Sequence, residues 1–372
     1  MRVLHVVEVD SGGVVTYVQA LAAAQVAAGL DVHVLAPVGV QVPDVTLHRW
    51  RPQRRSPWRF PAAVGRLGRV TEEVTPDVVH LHSFFAGVLG RLRRLPAPVV
   101  YQPHSWAFEA VPAPGRAAVA AWERHARSRT ACVVVNCDDE LAEAARHGVE
   151  VEGRSVGVPL DLERFRPGDD DERRALRAER GIGATEQLHV CVARLSRQKG
   201  QDQLSAAWES AARPEGRLVF VGAGDWEPLQ QQAPTTWGRS QVAVGATDDV
   251  RGWLVAADVV VMPSRYEGQS VAMAEAMACG RPVVSTDVNG VQQALVEGQE
   301  PSAGAIVPLG DMTALLEQCA KLLDDPCAVE TAGRAARSRA ERLFSATEVE
   351  RRVVAVYEQV LTAAPQQEET AR

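Results

Sequence analysis

The sequence predicts an α/β protein built of two doubly wound domains in series. Three observations carry this. Short apolar runs alternate with helix-patterned stretches along the chain, glycines close several of the runs, and a proline- and charge-rich break near the middle separates one βα series from a second. At 372 residues the chain exceeds one ordinary core and fits two.

The first series opens with a strand at Val3–Val9, a tight loop at Ser11–Gly13, a helix at Val14–Ala28 closed by Gly29, and a strand at Val32–Ala36, which together make a βαβ unit. Further strands are expected near Val45–Arg49, Val78–His82, Val99–Gln102 and Cys132–Asn136. FRPGDDDERR (Phe165–Arg174) reads as the linker, with Asp169–Asp171 as surface charges on it. The second series places strands near His189–Ala193, Arg217–Val221, Gln241–Val244, Val259–Met262 and Pro282–Ser285. Its helices fall near Gln201–Ala212, Asp248–Ala257, Ser270–Cys279, Asp311–Leu323 and Val329–Leu343. No sequence repeat links the two series. A last helix, Ala346–Leu361, carries Val349, Val353, Val356 and Val360 at helical spacing and is expected to dock on the first domain. The predicted boundaries are therefore 1–165, 166–345, a returning helix at 346–361 and a disordered tail at 362–372. Strands separated by helices imply parallel sheets covered on both faces, with ligands at the strand C-terminal ends. Two such domains would face each other across a cleft suited to two reactants.

Composition excludes several classes. Hydrophobic content of 46%, charged content of 23% and a net charge of −7 describe a globular protein with no overall pull toward nucleic acid. The six cysteines show no metal spacing and read as buried reduced thiols of a cytosolic protein. No run approaches the roughly 20 apolar residues of a membrane span, and the first strand, broken by His5, Glu8 and Asp10, is unlike a signal peptide. The chain is expected in the cytoplasm. Lys199 and Lys321 are its two lysines against 38 arginines, so a lysine inside a motif stands out.

The chemistry gathers in VVMPSRYEGQSVAMAEAMACG, where a strand leads through a loop bearing Glu267 and Gly268 into a helix bearing Glu275. Seven residues separate the glutamates, which in a helix would put them roughly 12 Å apart at about 1.5 Å per residue. That suits gripping two ends of an elongated ligand better than sharing a proton. In VCVARLSRQKGQDQL, Arg194 and Lys199 lie between a strand end and a helix start, a place for a diphosphate; a solvated basic loop is the plainer alternative. Gly222 and Gly224 of VGAGD permit close backbone approach, as could the turn at Ala246, where Thr247 or Asp248 reads first as a helix cap. RWRPQRRSPWRFPAAVGRLGR (Arg49–Arg69) has no acid; Arg51, Arg54, Arg55, Trp58 and Arg59 form a candidate patch for an anionic acceptor or a lipid surface at the inner face of the membrane.

Arg194 with Lys199, the VGAGD turn, and Glu267 with Glu275 resemble the signature of retaining GT-B glycosyltransferases of family 4, over nearly the whole chain. The resemblance implies the GT-B fold, two facing Rossmann-like domains with the C-terminal helix returning to the N-terminal one, the first taking the acceptor and the second a UDP- or GDP-sugar. It implies that Glu267 holds the donor sugar, Glu275 the ribose, and Arg194 and Lys199 the diphosphate, with the helix start at Gln269 and Ser270 facing that group. Gly12 and Gly13 match the family's glycine loop, for which a plain tight turn is the alternative. His104 in YQPHSW matches its active-site histidine; His82 reads as supporting or structural. No metal or cofactor is implied. The chain departs from the family at Val158–Pro159, where Asn-Gly is common, and at Asn136 and Cys137, where serine or threonine is usual. The resemblance implies retention of anomeric configuration, in cell-envelope glycan or glycosylated natural-product synthesis, on a glycan, lipid-linked or small-molecule acceptor. A nucleotide-sugar epimerase or hydrolase, and a non-catalytic sugar-nucleotide-binding protein, are the competing readings.

Overall fold

The computed structural model describes residues 1–54, 56–211, 216–296, 298 and 301–370, with side chains through 363. It divides into two compact units: Met1–Pro159 together with the segment from Ala346, and Leu160–Ser345.

In the first unit β1 (Arg2–Val7), β2 (Asp31–Ala36), β3 (Thr46–Arg49), β4 (Val78–His82), β5 (Val99–Gln102), β6 (Cys132–Val135) and β7 (Gly153–Ser155) form one parallel sheet in the order β3-β2-β1-β4-β5-β6-β7. The central strands are apolar almost throughout because helices cover both faces. Strand order reverses between β1 and β4, which splays their exit loops apart and opens a crevice at that edge. His5 pairs in register with His80 across β1 and β4, and Val7 with His82, so three histidines lie inside the core. The last helix, Ala346–Thr370, packs on the helix Gly13–Ala27 and buries Val349, Val353, Val356, Tyr357 and Val360, as its spacing predicts.

The second unit repeats the scheme with β8 (Leu188–Val192), β9 (Arg217–Val221), β10 (Gln241–Gly245), β11 (Val259–Met262), β12 (Val283–Thr286) and β13 (Gly304–Val307), all parallel, in the order β10-β9-β8-β11-β12-β13. Here the reversal falls between β8 and β11. Its core gathers Leu204, Trp208, Phe220, Val259, Val261, Val284 and Leu315.

Several expectations need correction. The units part at Leu160, not 166: Leu160 bridges to Ser345, Phe165 is buried, and Arg337 donates to the carbonyls of Leu162 and Phe165. Asp169–Asp171 are not linker charges. The Asp169 carboxylate accepts from Glu172 N at 2.8 Å and caps the helix Asp170–Glu179, whose acidic first turn suits the helix dipole. The final helix does not stop at 361 but runs to Thr370, through residues that are mostly good helix formers; residues 371 and 372 lie outside the described part. The edge strands β7 (GRS) and β13 (GAIV) had no sequence signal, since each starts on glycine and neither is an apolar run. Five cysteines are buried and free, whereas Cys327 is exposed.

Candidate active site

In the second unit the crevice at the β8/β11 reversal is built by two loops sewn together. After β8 the backbone turns through Ala193 and Arg194 to Gly200; after β11 it runs from Pro263 to Ser270. Gln201, buried at the next helix start, donates to the carbonyls of Ala193 and Arg194 at 3.2 and 3.1 Å. Arg265 N donates to Gln198 O at 2.7 Å, and its guanidinium takes Asp202 in a bidentate pair at 2.7 and 2.8 Å. Gly200, at φ +70°, lies so close to the other loop that a Cβ would sit 2.0 Å from Pro263 O. Only glycine fits.

That stitching brings Lys199 and Glu267 together. Lys199 Nζ donates to Glu267 Oε1 at 2.5 Å, and Ser264 Oγ donates to the same oxygen at 2.7 Å. Glu267 is 5% exposed, so its charge needs these partners. Among the described residues the exposed Arg194 guanidinium has no partner, which leaves it free for a ligand. Ser270 Oγ caps the helix Val271–Ala278 by accepting from Met273 N, and Gln269 Oε1 is buried without a partner. Glu275, on this helix and 8% exposed, is pushed up to about 7 by burial, with Arg164 opposing. Gly222 and Gly224 sit where a Cβ would come 2.2 Å from Ala193 O and 2.3 Å from Leu195 Cβ. They let the β9 exit pack on the β8 exit. Ala246 follows Gly245, at φ +80°, and is exposed. The cap of the helix Val250–Ala256 is Asp249, accepting from Gly252 N at 2.9 Å, and not Thr247 or Asp248.

In the first unit Gly12, at φ +89°, precedes the helix Gly13–Ala27, and the space its side chain would take is open. The exit turns of β4 and β5 carry Ser83, His104 and Ser105 at φ of +71°, +58° and +139°, left-handed values that cost L-residues strain and persist only where surroundings impose them. Ser83 Oγ donates to Glu8, which also takes Arg54 at 2.5 Å. Glu8, at the β1 exit, carried no motif, so the sequence did not mark it. His104 Nε2 lies 3.0 Å from His82 Nδ1, and burial pushes His104 down to about 3, so the ring is neutral at pH 7.

The basic stretch is narrower than its composition suggests. Arg49 turns inward to the carbonyls of Pro37 and Val40, Trp50 is buried with its indole N–H on Val7 O, and Arg54 serves Glu8. Arg51, Arg59 and Trp58, the last 75% exposed, remain at the surface; Arg55 lies outside the described residues. Among the described residues the nitrogens of His5, His80 and His82 come within 4.8 Å of one another, the one group with metal-ligand spacing, but His5 Nδ1 and His82 Nε2 are hydrogen-bonded to each other at 2.9 Å.

Two family patterns cover the two units: Glycosyl transferase 4-like domain over residues 12–158 and Glycosyl transferases group 1 over residues 186–325. D-inositol 3-phosphate glycosyltransferase 1 of Catenulispora acidiphila is 30% identical over 94% of this chain and 91% of its own. Among solved structures, sucrose-phosphate synthase from Thermosynechococcus elongatus superposes with a TM-score of 0.84 at 24% identity, over 98% of this chain and 100% of that one. Anabaena HepE in complex with UDP and glucose gives 0.82 at 17%, over 96% and 99%. Fold and matches define a glycosyltransferase of the GT-B type. Within that class the chain belongs to the group 1, family 4-type glycosyltransferases.

Two predictions follow the geometry. Gly200→Ala should lower the unfolding free energy by more than about 1 kcal/mol, since it adds strain at positive φ and a clash with backbone; an unchanged urea midpoint would contradict the loop packing. Glu275 titrates near 7 folded against 4.5 free, so its ionisation costs stability increasingly above pH 4.5 and fully above 7. Glu275→Gln should therefore raise the melting temperature at pH 8, by the equivalent of up to about 3 kcal/mol, and leave it unchanged near pH 4.5. Equal shifts at both pH values would show that the carboxyl is not held protonated.

Proposed function

We propose that this glycosyltransferase moves a sugar from a UDP- or GDP-sugar to an acceptor hydroxyl with retention of anomeric configuration, using no metal. The observation that carries the reading is the second unit's crevice. There a buried carboxylate, its lysine and an unpaired arginine occupy two loops that face one helix start. In this reading Arg194 and Lys199 hold the diphosphate as the C1–O bond to it breaks, because negative charge grows there and pre-placed cations lower the barrier. The helix N-terminus at Gln269 and Ser270, with Gly268 before it, adds backbone N–H groups to the same end. Glu267 takes sugar hydroxyls and Glu275 the ribose. The acceptor oxygen bonds to C1 on the face the diphosphate leaves, and its proton passes to a diphosphate oxygen. Gly12 and Gly13 lend backbone N–H groups, and His104 takes part as a neutral group.

The turns at Gly222, Gly224 and Ala246 border the nucleotide in this reading. A relative named for inositol phosphate and the surface cations Arg51 and Arg59 favour an anionic acceptor, with Trp58 against lipid or ring carbons. Among the described residues no helix is long and apolar enough to cross a membrane. We assign the work to the cytoplasm, at the inner membrane face, in cell-envelope or natural-product glycosylation.

Lys199→Ala and Glu267→Ala should each lower transfer at least about a hundredfold while the melting transition survives. Near-normal turnover in either would remove that residue from the mechanism. With donor and acceptor identified by thermal shift against UDP, GDP and their sugars, the anomeric proton coupling of the product decides stereochemistry; an inverted product refutes same-face transfer. Free sugar or an epimer as the main product without acceptor would favour a hydrolase or epimerase.

A further inference from the structure

Beneath the strained His104 turn, eight side chains of the first unit follow one another along an open chain of hydrogen bonds. A neutral imidazole donates from one nitrogen and accepts at the other, so each contact fixes the next. Gln25 Nε2 donates to the Tyr357 hydroxyl at 3.4 Å, which turns its Oε1 to His5 Nε2 at 2.7 Å. His5 must then carry its proton on Nε2 and accept at Nδ1 from His82 Nε2, 2.9 Å away. His82 in turn accepts at Nδ1 from His104 Nε2 at 3.0 Å, leaving His104 Nδ1 to accept from Asn136 Nδ2 at 3.5 Å. Asn136 Oδ1 accepts from Gln102 Nε2 at 2.7 Å.

The run also extends the other way. The Tyr357 hydroxyl, having accepted from Gln25, donates to His80 Nδ1 at 2.7 Å, so His80 keeps its proton on Nε2. His80 Nε2 and Gln102 Oε1 are both buried without a hydrogen-bond partner, so these two atoms are the open ends of the run. Between those ends each member gives one bond and accepts one in the same sense, and none carries charge. Burial holds all four histidines below their ordinary range. Bonds running in one sense polarise each other, so losing one weakens the rest.

We propose that this hydrogen-bonded chain is a positioning device that locks His104 as the neutral Nε2–H tautomer and fixes its left-handed turn, with Tyr357 of the C-terminal helix as the remote anchor. His5, Gln25, His80, His82 and Tyr357 are positioning residues; they reach the reaction only through His104. The device rests on the glycosyl-transfer reading for the step it serves, but its existence does not. It also gives the buried histidines and the returning helix a common purpose: the helix supplies the hydroxyl that joins Gln25 to His80.

The test separates the two levels. In the 15N-labelled full-length protein at pH 7, long-range proton–nitrogen spectra should show all four histidines as neutral Nε2–H tautomers with slowly exchanging ring protons. A mixed set of tautomers, a charged member, or stoichiometric zinc or copper bound at His5, His80 and His82 overturns the chain. Tyr357→Phe removes only the hydroxyl. It should lower kcat about tenfold with the donor KM within about twofold, and speed exchange of the His104 ring proton. An unchanged kcat, or a loss that only follows the melting temperature, overturns the positioning role. His5→Gln, whose amide both accepts and donates, should keep most of the rate, whereas His5→Leu should lose it. Equal loss in both counts against the chain and stands in for Tyr357→Phe should that variant not fold. If the wild type transfers no sugar while the four tautomers appear as stated, the functional reading fails and the hydrogen-bonded chain stands.

Discussion

A carboxylate as buried as Glu267 cannot be left unpaired, and the second unit is arranged to meet that demand. Its partner Lys199 comes from the loop after β8, while Glu267 and Ser264 come from the loop after β11, the two strands between which the order reverses. Everything else there serves to hold those loops in register: Gln201 on two carbonyls, Arg265 on Asp202, Gly200 pressed against Pro263. A buried ion pair is a poor source of stability, because desolvation offsets most of its Coulomb energy. Its value lies in geometry. The charges stand in place before any ligand arrives, which is the condition for electrostatic help at a breaking bond.

The first unit solves the opposite problem. Its reversal point between β1 and β4 encloses imidazoles, amides and a tyrosine hydroxyl, and burial drives each histidine to neutrality. Neutral groups that each both give and accept one hydrogen bond can satisfy one another without a counter-charge, which no arginine could do there. A buried carboxylate at that edge, Glu8, is placed at the rim, where Arg54 reaches it from the surface. One unit thus fixes charge and the other fixes hydrogen-bond direction, on the same topology.

What was legible in the sequence divides along physical lines. Periodicity exposed the long elements, and the glycine and charge spacing singled out Arg194, Lys199, Glu267 and Glu275, because those features are local. The edge strands β7 and β13 escaped because Gly-Arg-Ser has no apolar residue and Gly-Ala-Ile-Val opens on two small ones, so neither makes the apolar run that marked the other short strands. Asp169 escaped as a cap because a run of acids reads as solvated until the helix behind it is known. Gly200 was passed over because its reason is a carbonyl 63 positions away, at Pro263. The hydrogen-bonded histidine chain was invisible for the same cause. His5, His80 and His104 become neighbours only when β1, β4 and β5 pair, and Tyr357 joins them only when the last helix folds back onto the first unit. Arg54 was read as part of a free basic patch because nothing local shows the Glu8 carboxylate that engages it.

The two glutamates that share one motif end in unlike states, and the difference is informative. Glu267 is ionised against a lysine, a pure acceptor committed in advance. Glu275, eight residues on, is pushed up to about 7 by burial, with the Arg164 guanidinium opposing. A pair of adjacent hydroxyls offers donors to a carboxylate and acceptors to a carboxylic acid, and such a partner can meet either form. One motif thus supplies one carboxylate tied to its own lysine and one carboxyl that burial leaves uncommitted near neutrality.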